Sequence, residues 1–312
     1  MAYNFKETMS KPERLAPGHR MCAGCGGTIA VRNVLRGLHE EDHAVIVNAT
    51  GCLEVSTFTY PYTSWKDSYI HNAFENAAAT CSGVEAAYEV LKKKGKIDET
   101  FKFIAFGGDG GTYDIGFQSL SGAMERNHDM VYVCYDNEAY MNTGIQRSSA
   151  TPAYADTTTT PVGSVSNGKP QNRKDLAEVI AGHHVPYVAQ TTFVKNFRDL
   201  HEKSEKAIYT KGAAFLNILA PCPRGWRYNT PEILDICQKA VETCYWPLFE
   251  CEFGDKWTLN YIPKNKLPIE EYLKPQGRFK HLFKPENQHL IAEIQAEVDR
   301  RWEDLLNKAE TK

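Results

Sequence analysis

The chain has 312 residues, with 36 Lys and Arg against 39 Asp and Glu, a formal net charge of −3. That balance gives no general electrostatic case for nucleic acid or for an anionic membrane surface. Apolar residues at 42% and charged residues at 24% describe an ordinary globular chain, and no apolar run reaches the ~18–20 residues that span a bilayer. The length fits two domains, or one large α/β domain with arms. The stretch from Met1 to Leu15 is polar and mixed in charge, unlike a secretory signal, so a cytoplasmic protein with no membrane and no nucleic acid is expected. Its nine cysteines are then buried apolar residues, metal ligands or redox groups rather than a disulfide scaffold.

The predicted elements begin with a tight Gly/Cys knot, Met21-Cys22-Ala23-Gly24-Cys25-Gly26-Gly27, and a helix running to about Leu38. Ala44 to Ala49 is a short apolar run ending in Thr50-Gly51-Cys52, which reads as a buried strand entering a functional turn. Asn72 to Lys94 has helical spacing and stops at Gly95. Strands are then expected at Phe101–Phe106, Met130–Tyr135, Pro186–Gln190 and Ala213–Leu219. The helices between and around them are Ile115–Arg126, Lys174–Gly182 and Val194–Thr210. Ile145 to Arg173 is long, polar and without periodicity. It starts beside a candidate site, which favours a functional loop over a disordered one. After Cys222 come a helix near Pro231–Thr243, an irregular arm through Phe283 and a final amphipathic helix. That helix puts Leu290, Ile294, Val298, Leu305 and Leu306 on one stripe, read as a docking face.

Buried strands alternating with helices predict an α/β fold with a doubly wound, mostly parallel sheet. The expected divisions are 1–42, with the cysteine loop; 43–222, the α/β domain; and 223–312, helices and an arm that dock on partner subunits. In such sheets ligands bind beyond the C-terminal ends of the strands. Gly51-Cys52, Gly107-Gly108-Asp109-Gly110, Asp136-Asn137 and Pro221-Cys222 all fall at strand ends.

Gly107-Gly108-Asp109-Gly110-Gly111 lies between a strand and a helix. Glycines there let backbone N–H groups approach phosphate oxygens, and Asp109 suits a divalent metal bridging two phosphates. Asn137, at the end of the next strand, would meet Asp109 at the rim. Cys22 and Cys25 form a Cys-x-x-Cys open to three readings: zinc half-site, redox dithiol or chance. Cys52 and Cys222 end strands on the same rim, so four thiolates converge from three segments. Cys81 and Cys134 read as core, and packing is also the better reading of Cys237, Cys244 and Cys251.

The Gly-Asp-Gly turn followed by Asn resembles the diphosphate-and-magnesium motif of thiamine-diphosphate enzymes, with Asp136 in place of the commoner first Asn. That resemblance implies Mg²⁺ ligands at Asp109, Asn137 and the Ala139 carbonyl. Several motifs together resemble the β subunit of pyruvate:ferredoxin oxidoreductases. They are Cys22-Ala-Gly-Cys25-Gly, Thr50-Gly-Cys52-Leu-Glu-Val-Ser, Tyr60-Pro-Tyr-Thr-Ser-Trp65, Phe74-Glu-Asn-Ala-Ala, Gly107 to Gly116, Tyr140-Met-Asn-Thr-Gly144, Pro221-Cys222-Pro and Gln276-Gly-Arg-Phe279. The resemblance implies thiamine diphosphate held around Gly51, Gly108, Gly110, Gly111, Tyr140, Asn142 and Thr143. It implies a 4Fe–4S cluster on Cys22, Cys25, Cys52 and Cys222, and Asn142 close to the reacting carbon or the substrate carboxylate.

The implied activity is oxidative decarboxylation of a small 2-oxoacid, pyruvate favoured, with electrons passed singly to ferredoxin and coenzyme A as co-substrate. Oxalate, needing no coenzyme A, is the alternative; a non-redox thiamine enzyme or a zinc-stabilised binding subunit stands further off. One diphosphate-binding domain uses up the chain. The glutamate that activates the pyrimidine, and any further clusters, are therefore expected from other subunits of the same oxidoreductase.

Overall fold

The structure, a computed structural model, describes residues 3–59 and 61–310; Tyr60, in one of the motifs above, lies outside them. The strands are β1 (His43–Ala49), a small hairpin of β2 (Phe58–Thr59) and β3 (Tyr62–Thr63), then β4 (Ser68–Asn72), β5 (Phe101–Gly108) and β6 (Val131–Asp136). β7 (Tyr187–Thr191), β8 (Ala214–Leu219), β9 (Phe249–Glu252) and β10 (Lys256–Leu259) follow. Eight of them form one sheet in the order β10-β9-β7-β8-β6-β5-β1-β4. β4, β1, β5, β6, β8 and β7 run parallel, and β9 and β10 are antiparallel additions at one edge. This is the doubly wound, mostly parallel sheet expected.

Strand alternation divides the core between the two faces. On β6, Val131, Val133 and Tyr135 join the apolar cluster that packs the helices Gly26–Leu35 and Arg198–Tyr209. Tyr132 and Cys134 join the opposite cluster, with Ala77–Lys93, Phe117–Glu125 and Leu176–Ala181. Central strands buried on both faces read as continuous apolar runs, which is why β1, β5, β6 and β8 were legible.

Several expectations need correcting. The Gly/Cys knot is a plain turn, closed by the Cys25 N–H donating to the Cys22 carbonyl at 3.1 Å, and its helix ends at Leu35. The helix expected from Asn72 starts at Ala77, because Ser68–Asn72 is an edge strand only half covered and lacking an apolar run. Val194–Thr210 is interrupted by left-handed backbone at Lys195, Asn196 and Phe197, and its helix starts at Arg198. The glycine-rich run after Asp109 coils as a wide π-helical turn, Gly110–Ile115, ahead of the helix Phe117–Glu125.

The irregular arm contains the β9–β10 hairpin, so residues 223–312 complete the sheet. On the final helix, Gln288–Glu310, Leu290, Ile294, Val298 and Leu305 are buried in this chain's own core. Four of the five stripe residues are thus spent within the chain, which corrects their reading as a partner-docking face, and Leu306 is half-buried. No helix among the described residues is long and apolar enough to cross a membrane.

Candidate active site

β8, β6, β5 and β1 are consecutive in the sheet, so their C-terminal ends form one rim. Asp109 follows β5, Asn137 to Ala139 follow β6, Gly51-Cys52 follow β1, and Pro221-Cys222 follow β8. The four expected strand ends are therefore neighbours.

Asp109 is 1% exposed and accepts from the Ser148 hydroxyl at 2.5 Å. Burial, and then the charge of Asp136, push its carboxyl well above the usual carboxylate range. One arm of the Asn137 amide lies 2.9 Å from Asp109 Oδ1 and 2.8 Å from the Ala139 carbonyl oxygen. With its NH₂ turned in, the amide donates to both. With its oxygen turned in, three oxygens converge, and only a cation relieves their repulsion. Adjacent ligands of octahedral Mg²⁺, each at 2.0–2.1 Å, are about 2.9 Å apart, so this triad has the spacing of one edge-sharing ligand set. The donor set of Asp109, Asn137 and Ala139 thus fits Mg²⁺.

Asp136 and Glu138 are also buried here, but each is spoken for. Arg173 and the Tyr113 hydroxyl contact Asp136 at 3.3 and 2.6 Å. Arg278 and the Tyr245 hydroxyl donate to Glu138 at 2.5 and 2.6 Å. Asp109 is left as the carboxylate facing a ligand.

A cleft beside the triad is lined by Gly51, Cys52, Gly108, Gly110, Gly111, Tyr140 and Asn142, among others. Its walls leave no room for larger residues. A Cβ on Gly51 would sit 2.8 Å from the Tyr135 hydroxyl oxygen, and one on Gly110 2.3 Å from the Tyr140 ring. Tyr140 donates to the Gly110 carbonyl at 3.0 Å and packs against Phe74. Asn142 is exposed at the tip of the turn closed by the Tyr140–Gln146 bridge. Thr143 does not line the cleft: its hydroxyl is taken up by Gln146 at 2.5 Å.

The long loop is ordered against this rim. Ser148 reaches Asp109, Thr151 donates to the Glu138 carbonyl at 2.7 Å, and Arg173 reaches Asp136. Sequence reasoning missed Ser148, Tyr135 and Arg173, whereas the Phe74-Glu-Asn-Ala-Ala and Gln276-Gly-Arg-Phe279 motifs carried a signal for Phe74 and Arg278 without giving their contacts.

The cysteines fall into two groups. Cys81, Cys134, Cys237, Cys244 and Cys251 are buried in the core, while Cys25, Cys52 and Cys222 are half-buried and Cys22 is exposed. Burial pushes the Cys52 thiol up to about 12, with Cys25, Cys222 and Cys22 adding to the effect. Burial likewise raises Cys25, with Cys22 adding to it, and Cys222, with Cys25 and Cys22 adding to it. The Cys22–Cys25 turn is held beside Cys222, the Gly26 N–H donating to the Pro221 carbonyl at 3.1 Å. Backbone amides of Gly27 and Thr28 face Cys25, and those of Arg224 and Gly225 face Cys222, which favours the thiolate form. Among the described residues no three His, Cys, Asp or Glu side chains surround a single ion. A four-iron cluster takes one thiolate per iron, so cysteines too far apart to close on one ion suit a cluster better than a lone zinc.

Residues 49–218 match the family described as "Thiamine pyrophosphate enzyme, C-terminal TPP binding domain". Pyruvate synthase subunit PorB of Thermotoga maritima is 51% identical, the match covering 99% of this chain and 98% of that protein. Its counterpart in Methanocaldococcus jannaschii is 49% identical over 93% of this chain and 96% of that protein. A 2-oxoglutarate:ferredoxin oxidoreductase from Magnetococcus marinus shares the fold, with a TM-score of 0.57 over 72% of this chain and 73% of that one at 21% identity. By this identity along its whole length and the matched family, this chain belongs to the β-subunit family of the pyruvate:ferredoxin oxidoreductases.

Proposed function

We propose that this chain is the diphosphate- and cluster-bearing subunit of a cytoplasmic pyruvate:ferredoxin oxidoreductase. It takes part in oxidative decarboxylation of pyruvate with coenzyme A as acyl acceptor and ferredoxin as electron acceptor. The observation that carries the reading is the meeting of an oxygen triad with Cys52 and Cys222 on consecutive strand ends, with the Cys22–Cys25 turn held against Pro221.

Asp109, Asn137 and the Ala139 carbonyl would hold Mg²⁺, with the turn Gly108–Gly111 along the diphosphate. Cys22, Cys25, Cys52 and Cys222 would hold one 4Fe–4S cluster. When bound, thiamine diphosphate supplies a carbon nucleophile and electron sink, and the cluster takes electrons one at a time. The chain's own residues position these groups. Tyr140, tied to Gly110 and packed on Phe74, closes the floor of the cleft. Asn142, exposed at the cleft mouth, is placed to donate to a substrate carboxylate.

Val55, Phe58, Tyr62 and Ile115 are exposed apolar side chains on elements next to the rim. A partner subunit covering them would bring the pyrimidine-activating glutamate and further clusters. The relatives named above support pyruvate, and no observation favours oxalate.

The test is anaerobic reduction of ferredoxin or a viologen dye. The co-expressed complex is expected to reduce it with pyruvate and coenzyme A, and the isolated chain is expected to be inactive though brown. Reduction by oxalate without coenzyme A, and none by pyruvate, would replace the substrate. A colourless, iron-free chain would remove the cluster.

A further inference from the structure

One polar group between the two halves of the site is used by nothing described so far. Tyr135, near the end of β6, is 2% exposed, and its hydroxyl has no hydrogen-bond partner within the chain. A buried hydroxyl left unpaired is costly, and native proteins rarely keep one without a ligand or water to satisfy it.

The place of this hydroxyl is specific. The Tyr135 ring lies 3.4 Å from where a Cβ on Gly27 would be and 3.2 Å from one on Gly108, while its oxygen lies 2.8 Å from one on Gly51. Gly27 follows Cys25 by two residues, Gly51 precedes Cys52, and Gly108 precedes Asp109. The ring is therefore wedged where the cysteine turn, the β1 turn and the diphosphate turn meet. Burial pushes the phenol's pKa well above its ordinary value, and Cys52 is the next contributor, with Cys25 also acting on it.

We propose that the Tyr135 hydroxyl donates a hydrogen bond to the Cys52 sulfur when that sulfur ligates the cluster, and that this bond raises the cluster's reduction potential. The inference rests on the iron–sulfur reading of the four cysteines. A donor to a ligating thiolate favours the reduced cluster, which carries one more negative charge. Tyr135 thus acts as a positioning and tuning residue. Because it spans the gap between cofactor turn and cysteines, it makes the cluster an easier acceptor at the side that receives electrons.

The experiment is an EPR-monitored redox titration of the anaerobic complex, with iron, sulfide and thiamine-diphosphate contents measured beside it. In Tyr135→Phe the reduced-to-oxidised ratio at fixed potential is expected to fall by up to tenfold, a shift of up to about 59 mV for a one-electron couple. Iron and cofactor contents should stay unchanged. A difluorotyrosine placed at position 135 keeps the shape and donates more strongly, so it should shift the potential the opposite way. That second variant decides the matter if the Phe variant loses its cluster. Tyr187→Phe is the control, since burial and nearby carboxylates, and no cysteine, act on that phenol; it should leave the potential unmoved.

An unmoved potential in both Tyr135 variants with full iron overturns the proposal. So does loss of thiamine diphosphate without a change in potential, which would put the hydroxyl on the cofactor, and so does an equal shift in Tyr187→Phe. Absence of iron from the unaltered subunit would instead remove the cluster reading itself.

Discussion

Arg278 holds Glu138 at 2.5 Å across 140 residues of chain, and Glu138 is the residue next to Asn137. On the other flank of Asn137, Arg173 reaches Asp136 at 3.3 Å. Two buried ion pairs thus bracket the proposed magnesium ligand. They neutralise its neighbours, so the carboxylate left to a cation is Asp109. Each arginine also lies over an indole, Arg278 on Trp226 at 3.9 Å and Arg173 on Trp246 at 4.3 Å, so neither guanidinium is free to turn.

Breaking one of these pairs should therefore cost more than a surface pair does. Arg278→Met leaves a buried, uncompensated carboxylate at Glu138, a loss of about 3–5 kcal/mol. Thermal unfolding should show it, and Glu138→Gln added to Arg278→Met should recover most of it. A single variant as stable as the parent would refute the bracketing role.

Asp109→Asn keeps the shape of the side chain and removes its charge. Changing an outer-shell partner of a metal lowers affinity about 10–100-fold, and loss of a direct ligand should exceed that. Titration of the complex with thiamine diphosphate and Mg²⁺ should show this weakening while the circular-dichroism spectrum stays the same. Unchanged cofactor retention would remove Asp109 from the ligand set.

The cysteines make a two-sided prediction. Replacing Cys22, Cys25, Cys52 or Cys222 by Ser should lower iron content. Replacing Cys81, Cys134 or Cys237 should leave iron alone but cost about 1–3 kcal/mol of stability, because each puts a hydroxyl into an apolar core. Iron and sulfide assays on the purified complex separate the two sets, and full iron in Cys222→Ser would break the set of four.

Lys169, 1% exposed, ties the long loop together by donating to the carbonyls of Thr151, Asn172 and Ser149 at 2.5, 3.4 and 3.5 Å. Burial first, then the charges of Arg147 and Arg173, lower its ammonium to about 8. The unfolded chain holds this proton up to the ordinary lysine range, so between pH ~8 and ~10.4 it binds more protons than the native state. This group's contribution to stability therefore rises with pH in that window, by up to about 1.4 kcal/mol per unit. Denaturant titrations of the parent and of Lys169→Met across the window should converge on different slopes; parallel curves would show that the lysine is not desolvated. The same variant leaves carbonyls beside Ser148 unpaired and should loosen its bond to Asp109.

Local chemistry made much of this protein readable in one dimension. A buried parallel strand is a continuous apolar run, and a turn that must approach phosphate closely is rich in glycine, so β1, β5, β6, β8 and the Gly-Asp-Gly turn could be read from a few adjacent residues. Edge strands carry no such run. β4 and the β9–β10 hairpin are half covered, and their alternation was too short to stand out, although the Phe253-Gly254-Asp255 turn was a usable signal.

What the tertiary structure alone decided is nonlocal. That β8, β6, β5 and β1 lie side by side depends on crossover connections and on which faces the helices cover, and only this adjacency gathers the four rim cysteines beside Asp109 and Asn137. The separation of Asn142, in the cleft, from Thr143, tied back to Gln146, depends on how one turn closes. Arg173 looks in sequence like any surface arginine, and no spacing pairs Arg278 with Glu138; burial makes each a requirement, because a carboxylate cut off from water needs a partner that its own stretch of chain does not carry.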